Sequence, residues 1–391
     1  MVEAVRRGTG LRAVARQFRV SLHTVQRWVQ RTQAQRLDRV EWRDRPSSPH
    51  TPQRTSLAME DLVLTIRHTL KEASILGEYG AAAIQRELRL QGVAEIPSLR
   101  TIGRILLRRG ALDARHRIRR PAPPPGWYLP EVAQGQAELD SFDIIEGLVI
   151  QGGLQVDVLT GVALHGGLIG TWPTDGLTAK LVSSLLITHW EDVGVPDYAQ
   201  FDNDTRFHGP HHYPDVFSSV TRLCLSLNVV PVFAPPQETG FQAAIESFNG
   251  RWQAKVWARF HHASLAALQV RSAQYVAAYR ARTAARRDAA PSRRPFPPSW
   301  QFNPRAPLQG QLIFLRRTSE RGAVTLLGRT FPVAPLWPHR LVRCEVDFEA
   351  ACIRFYALRR RDPNWQPLLT QVPYAPVVRT TTRPAGSDTC Q

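Results

Sequence analysis

Closely spaced cysteines, long apolar runs and lysine are scarce or missing in this chain of 391 residues. Its four cysteines lie far apart and form no CxxC pair: Cys224, Cys344, Cys352 and Cys390. Because cysteine pairs at short spacing mark disulfide frameworks and zinc ribbons, we expect neither, and a reducing cytosol is the expected environment. The longest apolar runs, such as Leu181–Ile187, are too short to span a bilayer, and MVEAVRRGTG at the N-terminus has no apolar signal-peptide core.

The distribution of charge divides the chain into three parts. Residues 1–125 carry 24 basic and 11 acidic side chains, residues 126–250 carry 3 and 15, and residues 251–391 carry 23 and 7. The net charges are therefore +13, −12 and +16, which sum to the formal charge of +17. Basic modules of this kind bind polyanions such as nucleic acids by releasing counterions. An acidic module between them would repel the same polyanion unless its carboxylates held cations.

Residues 11–30 have the pattern of a helix-turn-helix. Apolar residues recur at helical spacing from Leu11 to Phe18, and Ser21 is a suitable N-cap for a second helix that buries Leu22 and Val25. The opposite face of that helix is polar and would meet base edges in a major groove. The residues expected to contact DNA there are His23, Thr24, Gln26 and Arg27. A plain helical hairpin is the alternative.

Residues 60–112 predict a second helical module, whose last helix resembles the second helix of residues 11–30. Ser98 is the expected N-cap and Gly110 the expected terminator of a helix with an arginine-rich outer face. On the helix-turn-helix interpretation, this face contacts DNA through Arg100, Arg104 and Arg108. A basic face that is merely solvated remains the alternative.

From residue 136 onward the pattern changes from helices to strands. Three β-rich segments separated by glycines are followed by alternating helices and strands, which predicts a mixed α/β sheet. Three carboxylates come from separate elements of this module: Asp140 in the first strand, Asp202 at the end of a short strand, and Glu246 on the last helix. Clustered carboxylates repel one another unless divalent cations bind them, and Mg²⁺ or Mn²⁺ prefers such oxygen ligands.

The segments QAELDSF, FDNDTRFHG and PPQETGFQAAIESFNGRW resemble the three signature blocks of the retroviral-type integrase and insertion-sequence transposase superfamily. The resemblance extends over about residues 11–360 and implies an RNase H-like core with an Asp-Asp-Glu triad. It assigns catalysis and the binding of two Mg²⁺ or Mn²⁺ ions to Asp140, Asp202 and Glu246. Asp143 lies close by, but the register of the family's first block favours Asp140. Phe201 and Asp204 depart from the residues that the family usually has beside the second aspartate.

The resemblance also implies double-stranded DNA, both element ends and target, as the partner of a homo-oligomer in the bacterial cytoplasm, at the nucleoid. No membrane and no zinc are expected. Further DNA contacts are expected from Arg251 and Lys255 on the helix that carries Glu246, and from Arg316 and Arg317 on a small C-terminal β-barrel.

The predicted fold class is multidomain, with helix-turn-helix modules at the N-terminus, a mixed α/β RNase H-like core and a small C-terminal β-barrel. The predicted ranges are a helix-turn-helix at 1–34, a linker at 35–59, a second helical module at 60–112, a basic proline-rich linker at 113–130, the catalytic core with its trailing helix at 131–285, a linker at 286–305, the barrel at 306–375 and a disordered tail at 376–391.

The leading functional prediction is a DNA transposase or integrase that cleaves and joins strands. A DNA-binding regulator or accessory protein with an inactive integrase-like core is the runner-up, favoured by Phe201 and Asp204. A nuclease of the RNase H type acting on RNA would fit the core but not the DNA-reading modules.

Overall fold

The structure, a computed structural model, describes residues 1–43, 55–112, 125–210, 215–238, 240–360 and 362–376. Parts of the predicted linkers 35–59 and 113–130, and nearly all of the predicted tail 376–391, lie outside the described residues. The chain divides into two units, Met1–Glu60 and Asp61–Gln391. In the part of the chain that is described, no helix is both long and apolar enough to cross a membrane.

Unit Met1–Glu60 contains three short helices, α1 (Val2–Arg6), α2 (Leu11–Gln17) and α3 (Leu22–Arg31). The predicted helix pair is present, with Ser21 as the N-cap of α3: its hydroxyl oxygen accepts a hydrogen bond of 3.1 Å from the backbone N–H of Thr24. A small apolar core is buried between α2 and α3 and includes Val14 and Val25. DNA binding by this pair stays a prediction.

Helix α4 (Leu57–Ala73) leads into α5 (Ala81–Leu90) and α6 (Leu99–Arg108). Ser98 caps α6 in the same way that Ser21 caps α3, because its hydroxyl accepts a 3.2 Å hydrogen bond from the N–H of Thr101. Gly110 follows the helix with a positive φ of 64°, as expected of a terminating glycine. The inner faces of α5 and α6 are buried, including Ile84 and Ile102.

Nine strands of the second unit form one mixed sheet in the order β11 (Leu368–Pro373), β10 (Cys352–Ala357), β9 (Leu341–Asp347), β6 (Gln311–Arg317), β5 (Val230–Phe233), β4 (Tyr198–Phe201), β1 (Leu139–Val149), β2 (Gln155–Ala163) and β3 (Ile169–Thr174). The helices before, between and after β1 to β5 are α7 (Pro130–Ala133), α8 (Ala179–Val193), α9 (Thr205–His208), α10 (Ser219–Ser226), α11 (Ala243–Trp252), α12 (Leu265–Arg282) and α13 (Ala284–Asp288), with a π-helical turn at Gln253–Trp257.

The centre of the sheet is parallel and both of its sides are antiparallel. β1, β4, β5 and β6 are joined by parallel pairs, whereas β1, β2 and β3 form an antiparallel meander. The predicted mixed α/β sheet is therefore confirmed. One face of the sheet packs against α8 and α10, with Phe142 and Trp190 in its core, and the other packs against α11 and α12, with Ile145 and Phe248 in its core.

The predicted separate C-terminal β-barrel is not what the structure shows. The last six strands are β6 (Gln311–Arg317), β7 (Ala323–Leu326), β8 (Arg329–Pro332), β9 (Leu341–Asp347), β10 (Cys352–Ala357) and β11 (Leu368–Pro373). β6 pairs in parallel with β5 through Val232 and Ile313, so four of these strands extend the core sheet, and only β7 and β8 form a hairpin of their own. The buried run Leu312–Leu315 explains the difference, because a strand that is apolar on both faces needs cover on both sides.

Candidate functional site

The two aspartates of β1 lie on opposite faces of the sheet because side chains alternate along a strand. Asp140 and Phe142 face α8, and Ser141 and Asp143 face α11. β1 runs parallel to β4 with Ser141 opposite Gln200. Continuing this register by two residues brings Asp143 level with Asp202, beyond the C-terminal end of β4. The rings of Phe142 and Phe201 stack at 5.7 Å on the other face, as the same register requires.

Asp143 lies among acidic neighbours. Burial raises the pKa of its carboxyl group to about 6, and the negative charges of Asp202 and Glu246 act in the same direction. Hydrogen bonds to the carboxylate oppose this rise: the backbone N–H of Ile144 donates to Oδ1 at 2.9 Å, and Nδ2 of Asn249 donates to Oδ2 at 2.7 Å. Asp143 is therefore electrostatically coupled to both of the other carboxylates.

Asp202 and Glu246 come from the ends of two other elements. Asp202 directly follows β4, and burial together with the charge of Asp204 raises the pKa of its carboxyl group, while the N–H of Asp204 donates to Oδ1 at 3.0 Å. Glu246 is exposed in the first turn of α11, and Asn249 lies on the same face of that helix, three residues later. β1, β4 and α11 thus bring Asp143, Asp202 and Glu246 to one end of the sheet.

The structure does not bring Asp140 to this cluster. The residue is 1% exposed, and its carboxylate accepts two hydrogen bonds from the guanidinium of Arg293, at 2.8 and 2.6 Å, and one from the indole N–H of Trp190 at 3.2 Å. Burial alone would raise the pKa of Asp140, but the charge and hydrogen bonds of Arg293 outweigh it and hold the pKa below its ordinary value. Asp140 thus belongs to a closed ion pair beneath α8, on the face opposite the three acids.

The predicted triad contained Asp140, whereas the carboxylate of β1 that interacts with Asp202 and Glu246 is that of Asp143. The family register led to that choice, yet strand alternation already separated the two residues. In LDSFD, Asp140 shares a face with Phe142, which is fully buried, whereas Asp143 lies on the other face.

The two departures beside Asp202 have structural reasons. Phe201 is fully buried and packs against Phe142, Phe207 and Phe233, so an aromatic residue there belongs to the core. Asp204 is the N-cap of α9: Oδ1 accepts from the backbone N–H of Arg206 at 2.7 Å, and the Arg206 guanidinium also binds it. Arg206 in turn reaches Glu146 at 2.6 Å. Asp204 therefore holds the positively charged guanidinium of Arg206 next to Asp202.

The chemistry of this donor set fits a hard divalent cation. Asp143 lies within electrostatic range of Asp202 and Glu246, and the repulsion from these two carboxylates helps raise the pKa of Asp143. In the described residues, however, no three His, Cys, Asp or Glu side chains stand close enough together to form a finished metal-binding group. The carboxylates would have to move closer together on binding. Among the described residues, the buried amide oxygen Oδ1 of Asn249 has no hydrogen-bond partner.

The residues predicted to read DNA in the N-terminal helices lie on outer faces. His23, Gln26 and Arg27 are exposed on α3, whereas the Thr24 hydroxyl is within 2.8 Å of the Ser21 hydroxyl. The arginines predicted on α6 are likewise exposed: Arg100, Arg104 and Arg108. Contact with DNA stays a prediction for all of them.

The predicted DNA contacts of the core and tail divide into two groups. Arg251 is exposed beside Tyr279, and Arg317 is exposed but forms an ion pair with Glu238 at 2.8 Å. Lys255 instead donates to the backbone oxygen of Gly77 at 3.0 Å, and so ties the π-helical turn to the segment before α5.

Arg316 is also engaged within the chain. It donates to Oδ1 of Asn203 at 2.8 Å and to the backbone oxygen of Ala234 at 3.3 Å, and burial lowers its pKa to about 10. Arg316 therefore braces the residue that follows Asp202. The geometry accounts for Lys255 and Arg316 by internal contacts, which sequence reasoning about basic patches did not reveal.

No family model and no curated protein matches this chain. A solved structure of the simian T-cell lymphotropic virus intasome in complex with PP2A regulatory subunit B56 gamma matches with a TM-score of 0.31 and 13% identity, over 69% of this chain and 87% of that chain. The HTLV-2 integrase catalytic core domain in complex with magnesium matches with a TM-score of 0.26 and 11% identity, over 40% and 87%. Scores this low carry no argument about activity.

Proposed function

We propose that this chain is a transposase or integrase that cleaves and joins DNA strands with Mg²⁺ or Mn²⁺, and that its acidic residues are Asp143, Asp202 and Glu246. The observation that carries the proposal is the electrostatic interaction of Asp143 on β1 with Asp202, which follows β4, and with Glu246 on α11, at one end of the sheet. Ligand sites of open α/β sheets lie beyond the carboxyl ends of their strands, where Asp202 stands. Asp143 takes the role that the family resemblance assigned to Asp140.

The three carboxylates would hold the cations. Bound ions of this kind stabilise the charge that develops on the attacking and leaving oxygens of a phosphodiester. The protein's own residues orient the ligands. Asn249 holds one oxygen of Asp143, and the N–H of Asp204 holds one oxygen of Asp202. Arg316 fixes Asn203, so the tail of the chain supports the loop that carries Asp202.

The basic modules on either side of the acidic part would supply DNA binding. Net charges of +13 and +16 flank the part with −12, which suits phosphate binding beside a cation-dependent site. The exposed outer faces of α3 and α6 are the proposed contacts with the DNA of element ends and target. A homo-oligomer that synapses two DNA ends in the bacterial cytoplasm is part of the same proposal.

One observation favours the runner-up, a DNA-binding accessory protein with an inactive core. The guanidinium of Arg206 lies beside Asp202, bound to Asp204 and Glu146, and so supplies a fixed positive charge where a cation is needed. If Arg206 substituted for a metal ion there, the fold would persist without catalysis.

Nicking of supercoiled plasmid by the purified full chain separates the two functions. We expect nicking with Mn²⁺ or Mg²⁺ and none with EDTA, and we expect loss of nicking in Asp143→Asn, Asp202→Asn and Glu246→Gln with DNA binding retained. Asp157→Asn is the matched control, since Asp157 lies on β2 opposite Thr174 and outside the cluster. DNA binding by wild type without nicking under any of these conditions would establish the accessory function instead.

A further inference from the structure

A cavity of about 460 Å³ opens on the same face of the sheet as the three acids. Its floor includes Ser141 of β1 and Gln200 of β4, and Gln242 at the start of α11 contributes to its wall. This volume lies in the range of sites for small organic groups. The catalytic proposal makes no use of the cavity.

Three polar atoms among these lining residues are buried without partners. The hydroxyl of Ser141 and the amide nitrogens of Gln200 and Gln242 make no hydrogen bond in the described structure, and each is shielded from solvent. Ser141 is 3% exposed and Gln200 1%. The side chain of Gln200 faces the phenol of Tyr128 and partly offsets the rise that burial causes in the pKa of that phenol, but the contact lies outside the geometry of a hydrogen bond. Buried polar groups are rarely left unpaired, so these three atoms are available to a ligand with hydrogen-bonding groups.

Aromatic rings and arginines complete the cavity. Trp127 and Tyr128 line it, and each packs against Phe241, with ring centroids 5.6 and 5.5 Å apart. Arg251 and Arg286 also line it. Flat apolar walls, amide donors and guanidinium groups together suit a planar heterocycle attached to a phosphate: amides pair with the edges of bases, aromatic rings stack on their faces, and arginine binds phosphate.

The cavity and the acids share the same elements at fixed offsets. Ser141 precedes Asp143 by two residues on one face of β1, and Gln200 precedes Asp202 by two residues on β4. A two-residue step on a strand spans roughly 6.6 Å. Gln242 lies one helical turn before Glu246. The backbone N–H of Glu246 donates a hydrogen bond of 2.9 Å to the backbone oxygen of Gln242. A group bound in the cavity is thus held next to anything that reacts at the acids.

From these observations we propose that the cavity binds one unstacked nucleobase of the DNA substrate, next to the phosphate that reacts at Asp143, Asp202 and Glu246. This inference rests on the proposed function and adds a specificity site to it. Ser141, Gln200 and Gln242 hydrogen-bond the edge of the base after rotation of their side chains, and the aromatic walls contact its face.

Binding of a fluorescent base tests the proposal. The full chain is titrated in EDTA with duplex DNA whose single-stranded 3′ overhang carries 2-aminopurine at successive positions, and with the same DNA made abasic at those positions. At one position we expect a change in fluorescence and a base-bearing overhang that binds more tightly than its abasic form. Ser141→Ala combined with Gln200→Leu should weaken binding of the base-bearing DNA about tenfold and leave the abasic DNA unaffected.

The substitutions are chosen so that folding does not confuse the result. Replacing an unpartnered buried polar group by an apolar one of similar size is close to neutral for stability, which the thermal midpoint checks. Thr171→Val is the matched control, because Thr171 also has a buried hydroxyl without a partner but does not line the cavity. The preference for the base should survive in this variant.

The inference and the proposed function fail in different ways. A preference for the base that is equal in wild type and in the double variant, or absent from wild type at every position, would overturn the inference. Nicking of plasmid by wild type with Mn²⁺ would leave the proposed function standing in either case. Absence of nicking together with an intact, cavity-dependent base preference would instead support base binding without catalysis.

Discussion

Two aspartates three residues apart on β1 have opposite surroundings. Asp140 is closed in by Arg293 and Trp190, and the pKa of its carboxyl group is held low. Asp143 faces Asp202 and Glu246, and the pKa of its carboxyl group is raised to about 6. The electrostatic environment, rather than position within a motif, therefore distinguishes the acid that holds the structure together from the acid proposed for catalysis.

The largest expected effect separates the two aspartates by activity. Asp143→Asn should abolish Mn²⁺-dependent nicking, because it removes a charge from the cluster that would bind the cation. The folded Asp140→Asn variant should retain nicking once corrected for the fraction of folded protein. Activities are compared on protein whose circular dichroism matches that of wild type. Loss of nicking in a fully folded Asp140→Asn variant, with activity retained in Asp143→Asn, would return the catalytic role to Asp140.

The second prediction concerns stability, for which the surroundings of Asp140 matter more than those of Asp143. Arg293→Ala leaves Asp140 buried without its partner, which should lower the free energy of unfolding by about 3–5 kcal/mol. Urea unfolding followed by tryptophan fluorescence measures it, since Trp190 belongs to the same cluster. Combining Asp140→Leu with Arg293→Met replaces the pair by apolar groups and should recover most of the loss. An unfolding free energy unchanged in Arg293→Ala would show that the pair does not stabilise the fold.

Much of the fold was predictable, because it depends on local patterns. The N-caps Ser21 and Ser98, the mixed sheet and the positions of Asp202 and Glu246 all follow from spacing and turn chemistry. What the sequence did not reveal depends on distant partners. Asp140 meets an arginine 153 positions away, and β6 joins β5 across the long segment between them. No spacing pattern in the sequence indicates such distant pairs. The sequence-based prediction therefore named Asp140 as the first acid of the triad and placed the last strands in a separate barrel.

A third prediction uses pH to show the difference between the aspartates. The folded pKa of Asp143, about 6, lies above the ordinary 3.8, so its contribution to stability is complete below about pH 4 and is lost as the pH rises through 6. We expect roughly 2 kcal/mol of destabilisation across this window in wild type without metal ions, and much less in Asp143→Asn. Mg²⁺ at pH 7 should restore stability to wild type only. Equal pH profiles for the two proteins would contradict the acidic environment described for Asp143.

The smallest expected effect tests whether an arginine can pair with Asp202 and lower the pKa of its carboxyl group, as Arg293 does for Asp140. Arg206 is held by Asp204 and Glu146, next to Asp202. Asp204→Gly removes one holder, and its cost as an N-cap change is only a few tenths of a kcal/mol. The freed guanidinium should then pair with Asp202, lower the pKa of its carboxyl group and compete with the divalent cation. We expect nicking to require about tenfold more Mn²⁺. The ion must displace the Arg206 guanidinium from Asp202, and breaking one such charge-assisted hydrogen bond costs on the order of 1.4 kcal/mol. Arg206→Gln added to Asp204→Gly should reverse that requirement, whereas a lower Mn²⁺ requirement in Asp204→Gly alone would mean that Asp204 obstructs the site rather than holding Arg206 in place.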